Sequence, residues 1–189
     1  VTSVREDGGM HRAPFRASEA ARAVGVTVHA ALADIVRNGG VRWWMDMDEA
    51  SRRERLRVYF ALHAPGLDAE ALLSDAAEAV TGATHSERGR WLLAQHAEDA
   101  VEWELRAVLD GHVVGVVIDR SFVDENGERW IIDYKTSSHE GGNLEAFLAA
   151  QEAAYQPQLH RYARIVRMLD QRSIHTALYF PKLGLLREV

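Results

Sequence analysis

The hydrophobic pattern of this chain changes its period near residue 100, and that change limits the folds open to it. Upstream, apolar side chains recur at three- and four-residue spacing, as they do on amphipathic helices. Ser18 is suited to cap the first of these helices, and Asn38-Gly39-Gly40 is suited to end it. Further helices are predicted at about 47–62, 68–81 and 86–97. The first half of the chain is therefore predicted to be helical.

Downstream of residue 100 the pattern favours strands joined by tight turns. Apolar and polar side chains alternate through 101–109, and Asp110-Gly111 is typical of a two-residue hairpin turn before a return strand at 112–123. A second turn at 125–127 leads into the apolar run Trp130-Ile131-Ile132. These signals predict a three-stranded meander over about 100–137.

The last third predicts one more helix and one more strand. The helix lies near 143–169 and is expected to be interrupted around Pro157, and the strand covers 174–180. Helices, then hairpin strands, then a helix and a strand indicate an α+β domain. We expect a flexible lead-in over 1–17 and one domain over 18–189, with a helical part at 18–98 and a core at 99–189.

Composition excludes several kinds of site. The chain has no cysteine, which rules out disulfides, thiol catalysis, iron–sulfur clusters and cysteine-bound zinc. Its only lysines are Lys135 and Lys182, and neither follows a glycine, so no phosphate-binding P-loop for ATP is present. No apolar run reaches the roughly 18 residues of a membrane span, and the first residues do not show the pattern of a signal peptide. We therefore expect a soluble cytoplasmic protein without membrane contact.

The net charge of −6 is unevenly distributed along the chain. Residues 61–112 carry 3 Arg against 10 acidic residues, whereas residues 1–60 carry 10 Arg against 8 acidic residues. The acidity therefore lies mainly in the helical middle of the chain, and it does not argue against a nucleic-acid substrate.

The register of the second hairpin decides how two carboxylates are arranged. If 125–127 is a three-residue loop with Gly127 left-handed, pairing is centred on residue 126, and Asp119 faces Asp133 on one side of the sheet. If Asn126-Gly127 alone forms a type I′ turn, Asp119 falls on the other face. Lys135 shares a face with Asp133 in both registers, because the two are two residues apart on one strand.

The first register predicts a metal site. Two facing carboxylates repel each other unless a cation lies between them, and oxygen ligands favour Mg²⁺ or Mn²⁺. Such an ion activates a bound water and stabilises charge on a phosphoryl group. Lys135 would orient or deprotonate the water, or offset charge on the phosphate. This pattern indicates metal-assisted phosphodiester hydrolysis, and the alternative is a surface hairpin with ordinary ion pairs.

The stretch from Gly115 to Thr136 resembles the core of the RecB-type nucleases in the PD-(D/E)XK superfamily. It contains Ile118-Asp119-Arg120, a turn, and Ile131-Ile132-Asp133-Tyr134-Lys135-Thr136. Gly25-Val26-Thr27-Val28-His29 resembles the family's Gly-x-x-x-His segment, and Gln158-Leu159-His160-Arg161-Tyr162 resembles its Gln-x-x-x-Tyr motif. The motifs stand in the family's order over about 18–182. Val116 departs from the pattern, since many members have glycine there.

The resemblance implies a restriction-endonuclease-like fold with a central mixed sheet flanked by helices. It implies Asp119, Asp133 and Lys135 as catalytic residues, and it implies Mg²⁺ or Mn²⁺ held by His29, Asp119, Asp133 and the backbone carbonyl of Tyr134. Gln158 and Tyr162 would position DNA. Tyr155, three residues before Gln158, is a further candidate for that helix face.

The pattern especially resembles the C-terminal nuclease domain of helicase–nuclease proteins, such as the exonuclease V beta subunit and UvrD/Rep-type helicase chains. The resemblance implies a DNA exonuclease of double-strand break repair and recombination that acts on single- or double-stranded ends. Helicase domains would precede it in the same polypeptide, which suits a chain beginning with Val rather than Met, and other repair-complex subunits would be partners. The missing cysteines imply a branch without an iron–sulfur cluster.

Two rival functions and several rival side-chain roles stay open. The chain could be a catalytically silent DNA-binding or scaffold module of a repair complex, or a stand-alone phage or defence nuclease. His29 could be a core or surface histidine. Trp43, Trp44 and Trp91 could stack on bases or pack in the core. Finally, Arg52, Arg53, Arg55 and Arg57 could bind phosphates, contact a helicase portion or form a solvated helix face.

Overall fold

The computed structural model describes residues 19–137, 139 and 141–189. The predicted lead-in at 1–17 lies outside these residues. Among these residues, five helices precede the first strand: α1 (Glu19–Arg37), α2 (Val41–Met45), α3 (Glu49–His63), α4 (Ala69–His85) and α5 (Glu87–Leu92). The short α2 was not predicted, and α5 ends at Leu92 rather than near residue 97. No helix among the described residues is long and apolar enough to cross a membrane.

The strands form one mixed sheet in the order β1-β2-β3-β4-β5. They are β1 (Ala97–Leu109), β2 (His112–Val123), β3 (Arg129–Tyr134), β4 (Ile174–Phe180) and β5 (Leu185–Glu188), and α6 (Leu144–Val166) connects β3 to β4. β3 and β4 are parallel, and every other neighbouring pair is antiparallel. A mixed sheet flanked by helices confirms the predicted α+β, restriction-endonuclease-like fold class.

The sheet separates two hydrophobic clusters because its central strands are buried on both faces. Ile132 packs with Leu32 and Phe122 in a cluster shared with the helices that precede the sheet. Ile131, one residue earlier and pointing to the other face, packs with Leu159 on the α6 side. Both isoleucines are fully buried. The end of β3 is therefore held between α1 and α6.

Helix α6 corrects one prediction, because it runs without a break through Pro157. A proline inside a helix costs about 3 kcal/mol through a lost hydrogen bond and a clash with the preceding turn. Pro157 lies on the exposed side of α6, while Leu159 and Tyr162 are buried against the sheet. Tertiary packing on both sides of the proline offsets the local cost, and local propensity could not reveal it.

The carboxylate of Asp170, just after α6, stabilises the fold in a way that should be lost in acid. Its carboxylate accepts hydrogen bonds from the Arg129 Nε (2.8 Å) and from the Arg172 side chain and backbone, both at 3.0 Å. Burial by itself would raise the pKa of Asp170, but the backbone hydrogen bond of Arg172 and the guanidinium of Arg129 outweigh it and lower the pKa to about 2. The lowered pKa stabilises the fold above the unfolded-state pKa, and this contribution is lost as the pH falls towards 2.

We therefore expect the difference in unfolding free energy between wild type and Asp170→Asn to shrink by about 1 kcal/mol from pH 6 to pH 3. Urea titrations at several pH values measure it. Glu104→Gln, at an exposed position of β1, is the control and should run parallel to wild type. A constant difference between wild type and Asp170→Asn would contradict the role given to this carboxylate.

Candidate active site

The hairpin between β2 and β3 has the register that places Asp119 opposite Asp133. Arg120 pairs with Ile132 and Val123 pairs with Arg129, so the pairing is centred on residue 126. Gly127 is left-handed, with φ of 79°, and its N–H donates to the Asp124 carbonyl at 3.0 Å. The turn is therefore the three-residue loop, and the type I′ alternative is wrong.

Asp124 explains why the three-residue loop is preferred. Its carboxylate accepts the backbone N–H groups of Asn126 and Glu128, each at 2.9 Å, and the Trp130 indole N–H at 3.1 Å. Burial alone would raise the pKa of Asp124, but these hydrogen bonds lower it overall. A two-residue turn would not present the same N–H groups to one carboxylate, so Asp124 stabilises the register that the site needs.

The β2–β3 ladder ends beside Asp119. Beyond the Arg120–Ile132 pair, β2 continues alongside β1, and the Oδ2 of Asp119 accepts the Tyr134 backbone N–H at 2.8 Å. The carboxylate thus takes the place of a backbone carbonyl at the end of β3. This contact brings Asp119 to the segment that carries Asp133 and Lys135.

Helix α1 supplies His29 to the same place. Its Nδ1 lies 3.2 Å from the Asp119 Oδ1, and its Nε2 lies 3.1 Å from the Tyr134 carbonyl oxygen. Gly25, one turn earlier, allows this close approach, because a Cβ there would lie 3.1 Å from the Thr136 Oγ1. The Gly-x-x-x-His spacing therefore has a packing reason as well as a chemical one.

Asp133 lies between a lysine and a glutamine. Its side chain is 6% exposed; its Oδ2 is 2.5 Å from the Lys135 Nζ, and its Oδ1 accepts the Gln158 Nε2 at 2.7 Å. Gln158 also donates to the Tyr162 hydroxyl oxygen at 2.6 Å. Because Gln158 and Tyr162 are four residues apart, α6 presents both from one face.

The charges in this cluster influence one another. Burial tends to lower the pKa of His29, but its contact with Asp119 outweighs burial and raises the pKa overall. Burial is also the main cause that raises the pKa of Asp133, followed by the negative charge of Asp119, while Lys135 opposes both effects. Burial raises the pKa of Tyr162 to about 12, so its hydroxyl stays protonated at neutral pH. Two carboxylates, those of Asp119 and Asp133, therefore lie near each other where little solvent reaches them.

The donor atoms suit a hard divalent cation. Two carboxylates, a backbone carbonyl and an imidazole match Mg²⁺ or Mn²⁺. The His29 Nε2 and the Tyr134 oxygen lie 3.1 Å apart, at hydrogen-bond distance, so the imidazole and the carbonyl are close neighbours in the site. The Asp133 Oδ2 is buried and contacts the Lys135 ammonium without a well-aligned hydrogen bond. Among the described residues, no three acidic or histidine side chains already surround an ion position. Instead, the Asp119 Oδ1 contacts the His29 Nδ1, and the Asp133 Oδ2 contacts the Lys135 Nζ.

One residue beside the site was missed by the sequence interpretation. Arg120 is fully buried on β2, and it donates to the carbonyls of Leu92 and Ala94, both at 2.9 Å, while pairing with Asp99 at 2.6 Å. The signal that could have revealed it is an arginine between the apolar residues Ile118 and Phe122 of a strand. It fixes β2 next to Asp119 against the segment between α5 and β1.

Several other side chains considered as nucleic-acid contacts do not join the site. Trp44 is buried in the core, and Trp91 packs edge-on against Phe122 and Trp130. The arginines of α3 mostly pair within the protein: Arg53 and Arg57 with Glu70, and Arg55 with Asp34. Core packing and surface ion pairs account for these residues.

Comparison with known families agrees with this architecture. A comparison with curated proteins finds no match. The family model of the PD-(D/E)XK nuclease superfamily matches residues 4–184, which cover almost the whole chain and all the residues of the cluster. This chain belongs to the PD-(D/E)XK nuclease superfamily.

Proposed function

We propose that this domain is a Mg²⁺-dependent (or Mn²⁺-dependent) DNA exonuclease. Membership in the superfamily implies a nuclease, and these nucleases generally use divalent metals. One observation carries the proposal: His29 from α1, Asp119 from β2, and Asp133 and Lys135 from the end of β3 meet at one place. The cluster holds the acidic, basic and hydrogen-bonding groups that phosphodiester hydrolysis needs.

We assign His29, Asp119, Asp133 and the Tyr134 carbonyl as the metal ligands. A bound divalent cation supplies Lewis-acid stabilisation and a water of lowered pKa. Lys135 lies beside Asp133 and would orient the attacking water, take its proton, or offset charge on the phosphate. Its charge also balances that of the buried Asp133 when the nucleic acid is absent.

We assign Gln158 and Tyr162 to orienting the Asp133 carboxylate and the DNA backbone. The amide of Gln158 holds one oxygen of Asp133 and also contacts the Tyr162 hydroxyl, so the two side chains fix the carboxylate from the α6 face. The same pair lies next to the position proposed for the reacting phosphate and would contact the DNA backbone. Orientation by such neighbours typically changes activity or metal affinity by 10- to 100-fold.

The biological setting is also part of the proposal. The order of the four motifs supports residues 18–189 as a RecB-type nuclease domain that follows helicase domains in double-strand break repair and recombination. Its substrate would be single- or double-stranded DNA ends, and its partners would include the helicase domains and other repair-complex subunits. The full coding sequence tests this setting, because helicase motifs with a Gly-Lys P-loop should precede residue 1. Their absence would favour a stand-alone phage or defence nuclease.

Metal-dependent degradation of end-labelled linear DNA tests the activity. We expect cleavage with Mg²⁺ or Mn²⁺, none with a chelator, and much slower loss of covalently closed circular DNA. Asp133→Asn keeps the shape of the side chain but removes its charge. It should raise the Mg²⁺ concentration for half-maximal activity on the order of a hundredfold, since a hard cation requires charged oxygen ligands. Asp110→Asn is the matched control and should behave as wild type.

The outcomes separate the rival functions. Binding of DNA without cleavage by wild type, in every divalent metal and with its helicase portion attached, would identify a catalytically silent binding or scaffold module. Equal cleavage by wild type and Asp133→Asn would refute the assigned site. Rapid cleavage of circular DNA would show an endonuclease and refute the exonuclease assignment alone.

A further inference from the structure

We propose that Tyr155 is a positioning residue for Lys135, with its aromatic ring holding the ammonium group in the orientation that cleavage requires. This inference rests on the proposed nuclease function, because Lys135 has its role only there. Tyr155 acts through the lysine and does not touch the reacting atoms.

The contact is close and specific. The Lys135 Nζ lies 3.5 Å from the centre of the Tyr155 ring, within the range in which a cation is attracted to the negative face of an aromatic ring. The lysine side chain is only 15% exposed, so few water molecules can reach its ammonium group. Reduced hydration strengthens a cation–ring interaction. The ammonium is thus held between the ring of Tyr155 and the carboxylate of Asp133.

A lysine at this position needs such support. Its ammonium stands on a flexible chain of four methylene groups, and a small displacement of a reacting group costs a large factor in rate. Asp133 is its other close contact, but Asp133 is also proposed to bind the metal. A carboxylate oxygen that binds a cation is a weaker partner for an ammonium. The ring of Tyr155 is not proposed to bind the metal, so it can hold Lys135 both with and without a bound cation.

The fold keeps Tyr155 in place. Tyr155, Gln158 and Tyr162 follow the i, i+3, i+7 spacing of one helix face, and Tyr155 packs against the hydrophobic cluster on the α6 side of the sheet. Within the described part of the chain, the Tyr155 hydroxyl makes no hydrogen bond. The ring face therefore carries the interaction, so phenylalanine should replace tyrosine and leucine should not.

The two-lysine composition allows a direct spectroscopic test. Isotope-labelled lysine gives signals from only Lys135 and Lys182, and Lys182 lies elsewhere, near Asp75 and Glu78. Protons above an aromatic ring are shifted upfield, so we expect an upfield shift of the ε-methylene protons of Lys135. The shift should be lost in Tyr155→Leu, kept in Tyr155→Phe and unchanged by added MgCl₂. Lys182 is the internal reference.

Cleavage kinetics test the consequence. Tyr155→Leu should lower kcat for linear DNA about five- to thirtyfold with an almost unchanged KM, which matches the loss of a partly desolvated cation–ring contact. Tyr155→Phe should stay within about twofold of wild type. Phe147→Leu is the matched control, because Phe147 is another half-buried aromatic residue of α6 and contacts Phe180 and His139 instead. Thermal melting establishes that each variant is folded.

The results distinguish this inference from the function on which it rests. A wild type without metal-dependent cleavage contradicts the nuclease proposal, and the role of Tyr155 falls with it. A wild type that cleaves DNA but shows no upfield Lys135 signal, or a Tyr155→Leu variant with unchanged kcat, contradicts only the role of Tyr155. A Tyr155→Phe variant as slow as Tyr155→Leu would also overturn it, because the hydroxyl would then be required.

Discussion

Lys135→Ala should lower kcat for metal-dependent DNA cleavage roughly a thousandfold, the size expected when one group supplies both proton transfer and charge stabilisation. The Lys135 Nζ is 2.5 Å from the Asp133 Oδ2, and the lysine side chain is only 15% exposed, so the ammonium is held beside that carboxylate. KM for DNA should change little, because one lysine contributes little to binding along an extended polyanion. Single-turnover cleavage of end-labelled DNA measures the effect.

The second lysine of the chain offers a matched control. Lys182→Ala removes the same, similarly buried side chain from a place where it pairs with the exposed Asp75 and Glu78, and it should leave kcat unchanged. Lys135→Arg should remain severely impaired, because the guanidinium pKa is too high for proton transfer and its planar shape differs from an ammonium. Recovery of most activity by arginine would limit the role of Lys135 to positive charge. A Lys135→Ala variant within tenfold of wild type would contradict its catalytic role.

Arg120→Met should lower the free energy of unfolding by about 3–5 kcal/mol, the cost of breaking a buried, hydrogen-bonded charge pair from one side. The guanidinium of Arg120 is completely buried and donates to the backbone carbonyls of Leu92, Ala94 and Ala100. Methionine fills similar space but leaves those carbonyls and Asp99 without their partner. Urea denaturation followed by circular dichroism measures the change.

The contrast with an exposed pair makes this prediction specific. Arg164 pairs with Asp110 on the surface, and Arg164→Met should cost less than about 1 kcal/mol. Arg120→Lys should also be strongly destabilised. The guanidinium donates in several directions within its plane, and a single ammonium cannot reach all of the same acceptors. Because Arg120 adjoins Asp119, we also expect Arg120→Met to cleave DNA more slowly at temperatures where it is still folded. A loss of stability below about 1 kcal/mol would show that water replaces the guanidinium.

The hairpin register shows where sequence reasoning reached its limit. Asn126-Gly127 suits a two-residue turn, and Glu125-Asn126-Gly127 suits a three-residue loop with Gly127 left-handed, so local preference left both open. The carboxylate of Asp124 selects the second by accepting N–H groups at Asn126 and Glu128. The position of Asp119 relative to Asp133, and with it the proposed metal site, depends on this choice.

Three other features could not be predicted from the sequence because they depend on packing. The strand β5 covers only Leu185–Glu188 and carries too few residues for a periodic pattern, and its pairing with β4 defines it. The continuity of α6 through Pro157 and the contact of Tyr155 with Lys135 likewise require the sheet as a partner.

The sequence by itself determined the α+β organisation, the two hairpins and the identity of the residues expected at the site, because hydrophobic period, turn chemistry and motif order are local properties. Only the tertiary structure decided which hairpin register forms, that His29 approaches Asp119 and the Tyr134 carbonyl, and that Arg120 is buried. These outcomes depend on contacts between residues far apart in the chain, where burial and hydrogen bonding outweigh local preference.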